Sequence, residues 1–241
     1  MQFKNLVLTA LSAKAILAAV NEPCVGSGGV AGVCISTSAC SAAGGSSITG
    51  FCPSDPAGIR CCFKKSCSNG SSGNCRWQSD CAGSSVSNQC PGPSQMKCCS
   101  SAATGFGGYS APKIPAVASG GCTKVAVDGA KAVVDNFPGR VREIGCKRTC
   151  ACTSTPESDH CCGKAIDFMC SDGGGVPTMS GRSIAQWIMN KADDLKVKYI
   201  IWGQKIWYAT QATKPWVDWN DMEDRGSITT NHWDHVHVSF K

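Results

Sequence analysis

The sequence predicts a C-terminal α+β domain, a small and mainly antiparallel sheet with flanking helices, preceded by a disulfide-rich module of two six-cysteine repeats. Three observations predict this. Cysteines recur in one order at 24, 34, 40, 52, 61 and 62, and again at 67, 75, 81, 90, 98 and 99. Apolar residues fall at helical spacing over 123–136 and again from 180 to about 195. Short runs at 165–169, 199–202, 206–208 and 235–240 read as strands, and such a mixture favours the α+β class.

The bulk numbers bound the rest. A chain of 241 residues holds one ordinary domain and a small one. Nineteen cysteines imply disulfides made in an oxidising compartment, so a secreted protein is expected. The 23 basic residues exceed the 17 acidic ones only modestly, which is too few for a nucleic-acid binder. A mild positive charge favours anionic polymers such as bacterial cell wall. A monomer is expected.

In chain order, residues 1–20 read as a secretory signal: Lys4, then apolar Leu6–Leu11 and Ala15–Val20, with small Ala18 and Ala19 for cleavage. This stretch is too short to span a bilayer, and no other segment qualifies, so no membrane partner is expected. The cysteine-rich module occupies 21–100, with its copies at 24–62 and 67–99. Each copy has Gly-x-Cys-x5-Cys, then Cys-Pro, then a basic residue before a Cys-Cys pair. Spacers of Gly, Ser and Pro cannot build a sufficient core, so each unit relies on three disulfides whose pairing the sequence leaves open. The module lacks histidine, and its carboxylates within the repeats are Asp55 and Asp80, so chemistry there is not expected. It reads as a wall-binding module, with Arg60, Lys64, Lys65, Arg76, Trp77 and Lys97 as candidate contacts, or as a rigid spacer with Trp77 in its core. Asn69-Gly-Ser71 is a glycosylation sequon. Residues 101–121 read as a tether, leaving 122–241 as the larger domain. Its seven cysteines leave one over, and disulfides from Cys161 and Cys162 are expected to fix the loop at His160.

The chemistry concentrates in two clusters. Ser158-Asp-His-Cys-Cys-Gly-Lys-Ala-Ile-Asp167 places His160 seven positions before Asp167, and Asp234-His-Val-His237 lies near the C-terminus. Imidazole and carboxylate are common zinc ligands, and a catalytic zinc takes three protein donors and keeps one position open. His160, Asp167 and His237 supply that set. On a strand, Asp167 shares a face with Ala165 and Met169, and His235 shares one with His237. A carboxylate aimed into such a setting is costly unless paired or coordinated.

Ser158, His160, Gly163, Ala165 and Asp167, followed by the downstream acidic-x-x-His and His-x-His element, resemble the zinc peptidase group of D-alanyl-D-alanine carboxypeptidases, lysostaphin-type endopeptidases and the Hedgehog fold. The resemblance covers roughly residues 121–241 and is greatest to secreted carboxypeptidase-like proteins, through Ile201–Trp207 and Met222–Gly226. It implies hydrolysis of bacterial peptidoglycan stem peptides or cross-links, with zinc on His160, Asp167 and His237. It implies Asp234 as general base, where the family usually carries Glu. An ideal strand would turn Asp234 away from His237, so His235 competes for the role, as in the lysostaphin-type relatives. Arg148 stands where the carboxypeptidases place an arginine for substrate or oxyanion. Ser158 is the candidate substrate contact or turn former. The rival expectation is a non-catalytic wall-binding or effector protein with a structural zinc, which would tend to have four protein ligands.

Overall fold

The computed structural model describes residues 20–26, 30–52, 56–67, 73–81, 84–100, 109–118, 121–155 and 157–241. Nearly all of the expected signal segment, the sequon at Asn69, Asp55 and Phe106 fall outside them.

The first cysteine unit is an antiparallel sheet of β1 (Pro23–Val25), β2 (Ala31–Ser36), β3 (Ser46–Ile48) and β4 (Ile59–Phe63), in the order β1-β2-β4-β3. A short helix α1 (Thr37–Ala42) follows β2, and Ser36 caps it by accepting from Ala39 N. The second unit is a sheet of β5 (Asn74–Trp77), β6 (Ser85–Val86) and β7 (Met96–Cys99), with β7 in the middle. Disulfides join Cys24–Cys61, Cys34–Cys52 and Cys40–Cys62 in the first unit. They join Cys67–Cys98, Cys75–Cys90 and Cys81–Cys99 in the second. In both units the first cysteine pairs with the fifth, the second with the fourth and the third with the sixth. The paired Cys-Cys residues lie on β4 and β7, so each of these strands is stapled twice.

Trp77 is fully buried, packed with Val33, Cys62 and Met96. It does not offer a ring to a wall sugar: with so few apolar residues available, the unit uses its one tryptophan as core. Lys64 is also committed, its ammonium donating to Ala43 O (3.1 Å) and Gln89 O (3.0 Å) and so tying the two units together.

The larger domain is mixed α/β around one antiparallel sheet. Helix α2 (Lys124–Asn136) is capped by Thr123, whose Oγ1 accepts from Ala126 N. Then come β8 (Glu143–Gly145), β9 (Ala165–Met169), α3 (Gly181–Asn190), β10 (Val197–Trp202), β11 (Lys205–Tyr208), β12 (Asn220–Asp221) and β13 (His235–Phe240). The strand order is β12-β11-β10-β13-β9-β8. β9 is interior, between β13 and β8. α3 ends at Asn190, short of the expected Leu195, and the chain continues in turns closed by Leu195 N→Lys191 O.

Strand alternation sorts the sheet's two faces. Ile166, Phe168, Ile200, Val236 and Val238 face the helices and are fully buried with Ala126, Ala130, Val133, Ile184 and Ile188. Each large side chain so buried stabilises by about 1.5–3 kcal/mol. Gly129 lets α2 approach, since a Cβ there would run into the Phe240 ring. The opposite face carries Gly145, Asp167, His237 and Ile201 in one row across β8, β9, β13 and β10.

The module does not hang on a free tether. Asp80 is buried and accepts from Thr178 Oγ1 (2.5 Å) and Met179 N (2.9 Å), while Ser79 Oγ donates to Pro177 O (2.7 Å). Glu22 accepts from Asn231 Nδ2 (2.6 Å) and Trp233 Nε1 (3.1 Å). Tyr109, inside the expected tether, donates its hydroxyl to Asp172 at 2.7 Å.

Candidate metal centre

His160 reaches the site on a single 3-10 turn, Asp159–Cys162. Ser158 begins that turn, its Oγ accepting from His160 N at 3.3 Å. Its Oγ thus serves as a turn former, one of the two roles expected of it. Gly163 ends the turn at φ +63, and a Cβ there would collide with the Gly121 carbonyl, so glycine is required. Cys150–Cys161 and Cys152–Cys162 fix the turn to the preceding loop, and Cys122–Cys146 holds the approach.

Asp167 from β9 and His237 from β13 are directly opposite in register. His160 Nε2 lies 3.0 Å from Asp167 Oδ1, His237 Nδ1 lies 2.8 Å from the same oxygen, and the two nitrogens are 3.1 Å apart. All three residues are buried.

The outer partners bear on which nitrogens carry protons. His160 Nδ1 meets the Cys146 carbonyl, which only accepts, so Nδ1 carries a proton and in the neutral ring Nε2 is bare. His237 Nε2 lies 3.1 Å from Ser239 Oγ, and when it donates to that hydroxyl the neutral ring leaves Nδ1 bare. In that tautomer three lone pairs converge within 3.1 Å of one another. Such a set is stabilised by a shared cation. A tetrahedral zinc with bonds of about 2.0–2.2 Å spaces its donors about 3.3 Å apart, a few tenths of an ångström wider than this triangle. The donors and their outer partners fit zinc.

Burial pushes the Asp167 carboxyl up, but donation from protonated His160 and His237 nitrogens and the nearby imidazoles outweighs it and holds the group well below the usual carboxylate range; a shared cation would take the place of those protons. Burial drives the His237 ring toward its neutral form. Two other donor clusters, Cys24/Cys34/Cys52 and Cys67/Cys75/Cys90, consist of disulfide sulfurs and present no thiolate.

Asp234 and His235 have different surroundings. Asp234 Oδ2 accepts from Gly175 N (2.7 Å) and Thr229 Oγ1 (2.5 Å), and Oδ1 is 2.6 Å from His235 Nδ1. Both oxygens of its carboxylate are thus held in hydrogen bonds. His235 stays on the metal face, its Nε2 3.8 Å from Asp167 Oδ1. Arg148 is at the rim, half exposed, with Nη2 3.0 Å from Asp167 Oδ2. It steadies the oxygen of Asp167 that the triangle does not use.

Four residues complete the site without having been singled out in the sequence. Ser239 Oγ bonds His237 Nε2, and Asp159 is paired with Lys198 at 3.0 Å beside it. Tyr199 stacks on the His237 ring at 5.6 Å. His232 packs 4.7 Å from His235, and burial, then His235 and His237, lowers its pKa to about 3, so it is neutral.

The family model of the VldE C-terminal domain matches residues 118–233, a span that includes His160 and Asp167 and ends before His235. The chain is 49% identical over 232 residues to a protein of Arthroderma benhamiae described as an uncharacterized secreted protein, covering 90% of this chain and 92% of that one. This chain belongs to the family of that secreted fungal protein. Its nine disulfides suit the same extracellular setting. No solved structure matches the chain. Among the described residues, no helix is long and apolar enough to cross a membrane.

Proposed function

We propose that this secreted protein is a zinc metallopeptidase that hydrolyses peptide bonds in bacterial peptidoglycan stem peptides or cross-links. The observation that carries the reading is the His160–Asp167–His237 triangle with a carboxylate-held imidazole, His235, beside it. The substrate class rests on the motif resemblance.

In this reading His160, Asp167 and His237 hold zinc, which supplies Lewis acidity toward a peptide carbonyl and a water. His235, with Nδ1–H fixed on Asp234, offers a bare Nε2 that takes the proton of the attacking water and returns it to the leaving amine. Asp234 is a positioning residue, acting through His235. Arg148, at the open rim, is placed to meet a substrate carboxylate or the tetrahedral oxyanion. The two cysteine units are read as one repeated wall-binding module, with Arg60, Lys65 and Lys97 as its remaining cationic contacts, since Arg76 is bonded within the module to Asn74 Oδ1 and Asp80 O.

The test is release of D-alanine or cross-bridge peptides from purified peptidoglycan by the full secreted chain. Release that a chelator abolishes and zinc restores supports the peptidase, and the product separates end-trimming from bridge-cutting. One observation favours the rival of a structural zinc in a non-catalytic protein: His235 Nε2 is close enough to become a fourth ligand. No release from any wall type, with one zinc equivalent bound and lost in His235→Ala, would establish that rival.

A further inference from the structure

At the seam between module and larger domain is a cavity of about 290 Å³. Phe51 contributes from the first cysteine unit; Trp216, Trp233, Lys205, Asp218 and Asp221 contribute from the domain. It is separate from the metal centre. Lys205 pairs with Trp202 and Asp221 across the sheet, whereas His237 pairs with Ile201, so the two sites are on opposite faces.

The wall chemistry is two-sided. Trp216 Nε1 donates to Trp202 O and Trp233 Nε1 donates to Glu22, so both indoles direct their N–H groups into the protein. Both indoles are buried against each other and Trp202, so a ligand on that side meets their carbon edges together with partly exposed Phe51 and Val217. On the polar side, the Lys205 ammonium donates to Asp221 Oδ1 (2.6 Å) and Trp219 O (3.4 Å), which leaves one of its three protons. Asp218 adds an exposed carboxylate on the 3-10 turn Trp216–Asp218.

We infer that this cavity is a carbohydrate subsite that takes one neutral pyranose ring. A cation would meet the Lys205 ammonium, and an anion would meet two carboxylates. A neutral ring satisfies both sides: its C–H face packs on the apolar lining of Phe51, Val217 and the indole edges, and its hydroxyl edge both donates to carboxylates and accepts from an ammonium. Gly203 makes the aromatic wall possible, because at φ +59 a Cβ there would press on Trp233 and Trp216 at 2.8 and 2.9 Å. Since Phe51 comes from the module, the subsite exists only in the docked arrangement. The ring belongs either to an N-acetylhexosamine polymer or to a glucan.

The inference is independent of the peptidase reading, and its test needs no turnover. Calorimetric titration of the full, metal-stripped chain with tri-N-acetylchitotriose and with cellotriose is expected to show saturable binding of at least one, and the preferred sugar identifies the source. Asp218→Ala, an exposed change that spares the core, and Phe51→Ala are each expected to weaken that binding about tenfold or more, near 1.4 kcal/mol. The inference is overturned by no saturable binding of either sugar up to about 20 mM, near a 2–3 kcal/mol interaction. It is equally overturned by binding that neither substitution changes, or by saturable binding of lysinamide in place of both sugars.

Discussion

Asp234 Oδ1 lies 2.6 Å from His235 Nδ1, and the other oxygen of Asp234 is held by Gly175 and Thr229. The pair sets the tautomer of His235 and leaves Nε2 bare toward the metal face. Asp234→Asn has one acceptor oxygen, which Gly175 and Thr229 both claim. Its amide would then face His235 Nδ1 and force the proton onto Nε2. The expected outcome is a fall in peptidoglycan turnover of about 10²–10⁴-fold with zinc still bound. His235→Ala should match it. Metal analysis beside the release assay checks both.

Zinc affinity should depend on a residue that never touches the metal. Ser239→Ala removes the hydroxyl that bonds His237 Nε2. It is expected to weaken zinc binding by about 10–100-fold without changing the ligand set. Competition against a chromogenic chelator measures this. His160→Ala or Asp167→Ala, by contrast, should abolish stoichiometric binding.

Glu22 fastens the start of the cysteine module to the loop that precedes Asp234. Beyond Asn231 and Trp233, it accepts from Gln204 Nε2 at 3.0 Å in the amide orientation that satisfies both ends of that side chain. Glu22→Ala leaves these buried donors without their acceptor. A loss of about 2–4 kcal/mol is expected, read by urea unfolding. Turnover should fall too, as the loop carries His232 and Asp234.

Asp80 gives the docked module a pH dependence. Burial pushes its carboxyl up to about 6, against hydrogen bonds from Thr178 and Met179 and the charges of Arg76 and Arg140. Between the ordinary carboxylate value near 4 and this raised one, the folded chain keeps a proton that the unfolded chain has lost. Stability therefore falls as pH rises through this window and levels off above it, by about 3 kcal/mol at most. Thermal melts of the wild type and Asp80→Asn from about pH 4 to about pH 7 should diverge in slope across that interval.

Much of the larger domain was legible because its signals are local. Helical spacing located α2 and α3, and alternation grouped Asp167 with Ala165 and Met169 and His235 with His237. The row Gly145–Asp167–His237–Ile201 then followed from pairing. What stayed hidden depends on contacts between distant segments. Asp159 and Ser239 are 80 positions apart, and only the return of β13 alongside β9 joins them. Trp77 looked like a sugar platform because sequence cannot say whether a lone aromatic faces solvent or fills a stapled unit. Asp80 looked idle in a module without other chemistry, yet its partners are 98 and 99 residues away. The odd cysteine could not be named by parity. It is Cys170, buried on the strand end beside Asp234 O, with its thiol pushed well above the usual range, chiefly by burial.

The two disulfides that bracket His160 tie the metal face to the chain's history. Cys150–Cys161 and Cys152–Cys162 close loops of 11 and 10 residues around a turn that has a single 3-10 helix to hold it. A newly made, still-reduced chain has nothing comparable to keep His160 aimed at Asp167. Oxidation along the secretory route is thus expected to complete the centre. A wall-cutting activity of this kind would stay dormant inside the cell that makes it and begin only after export.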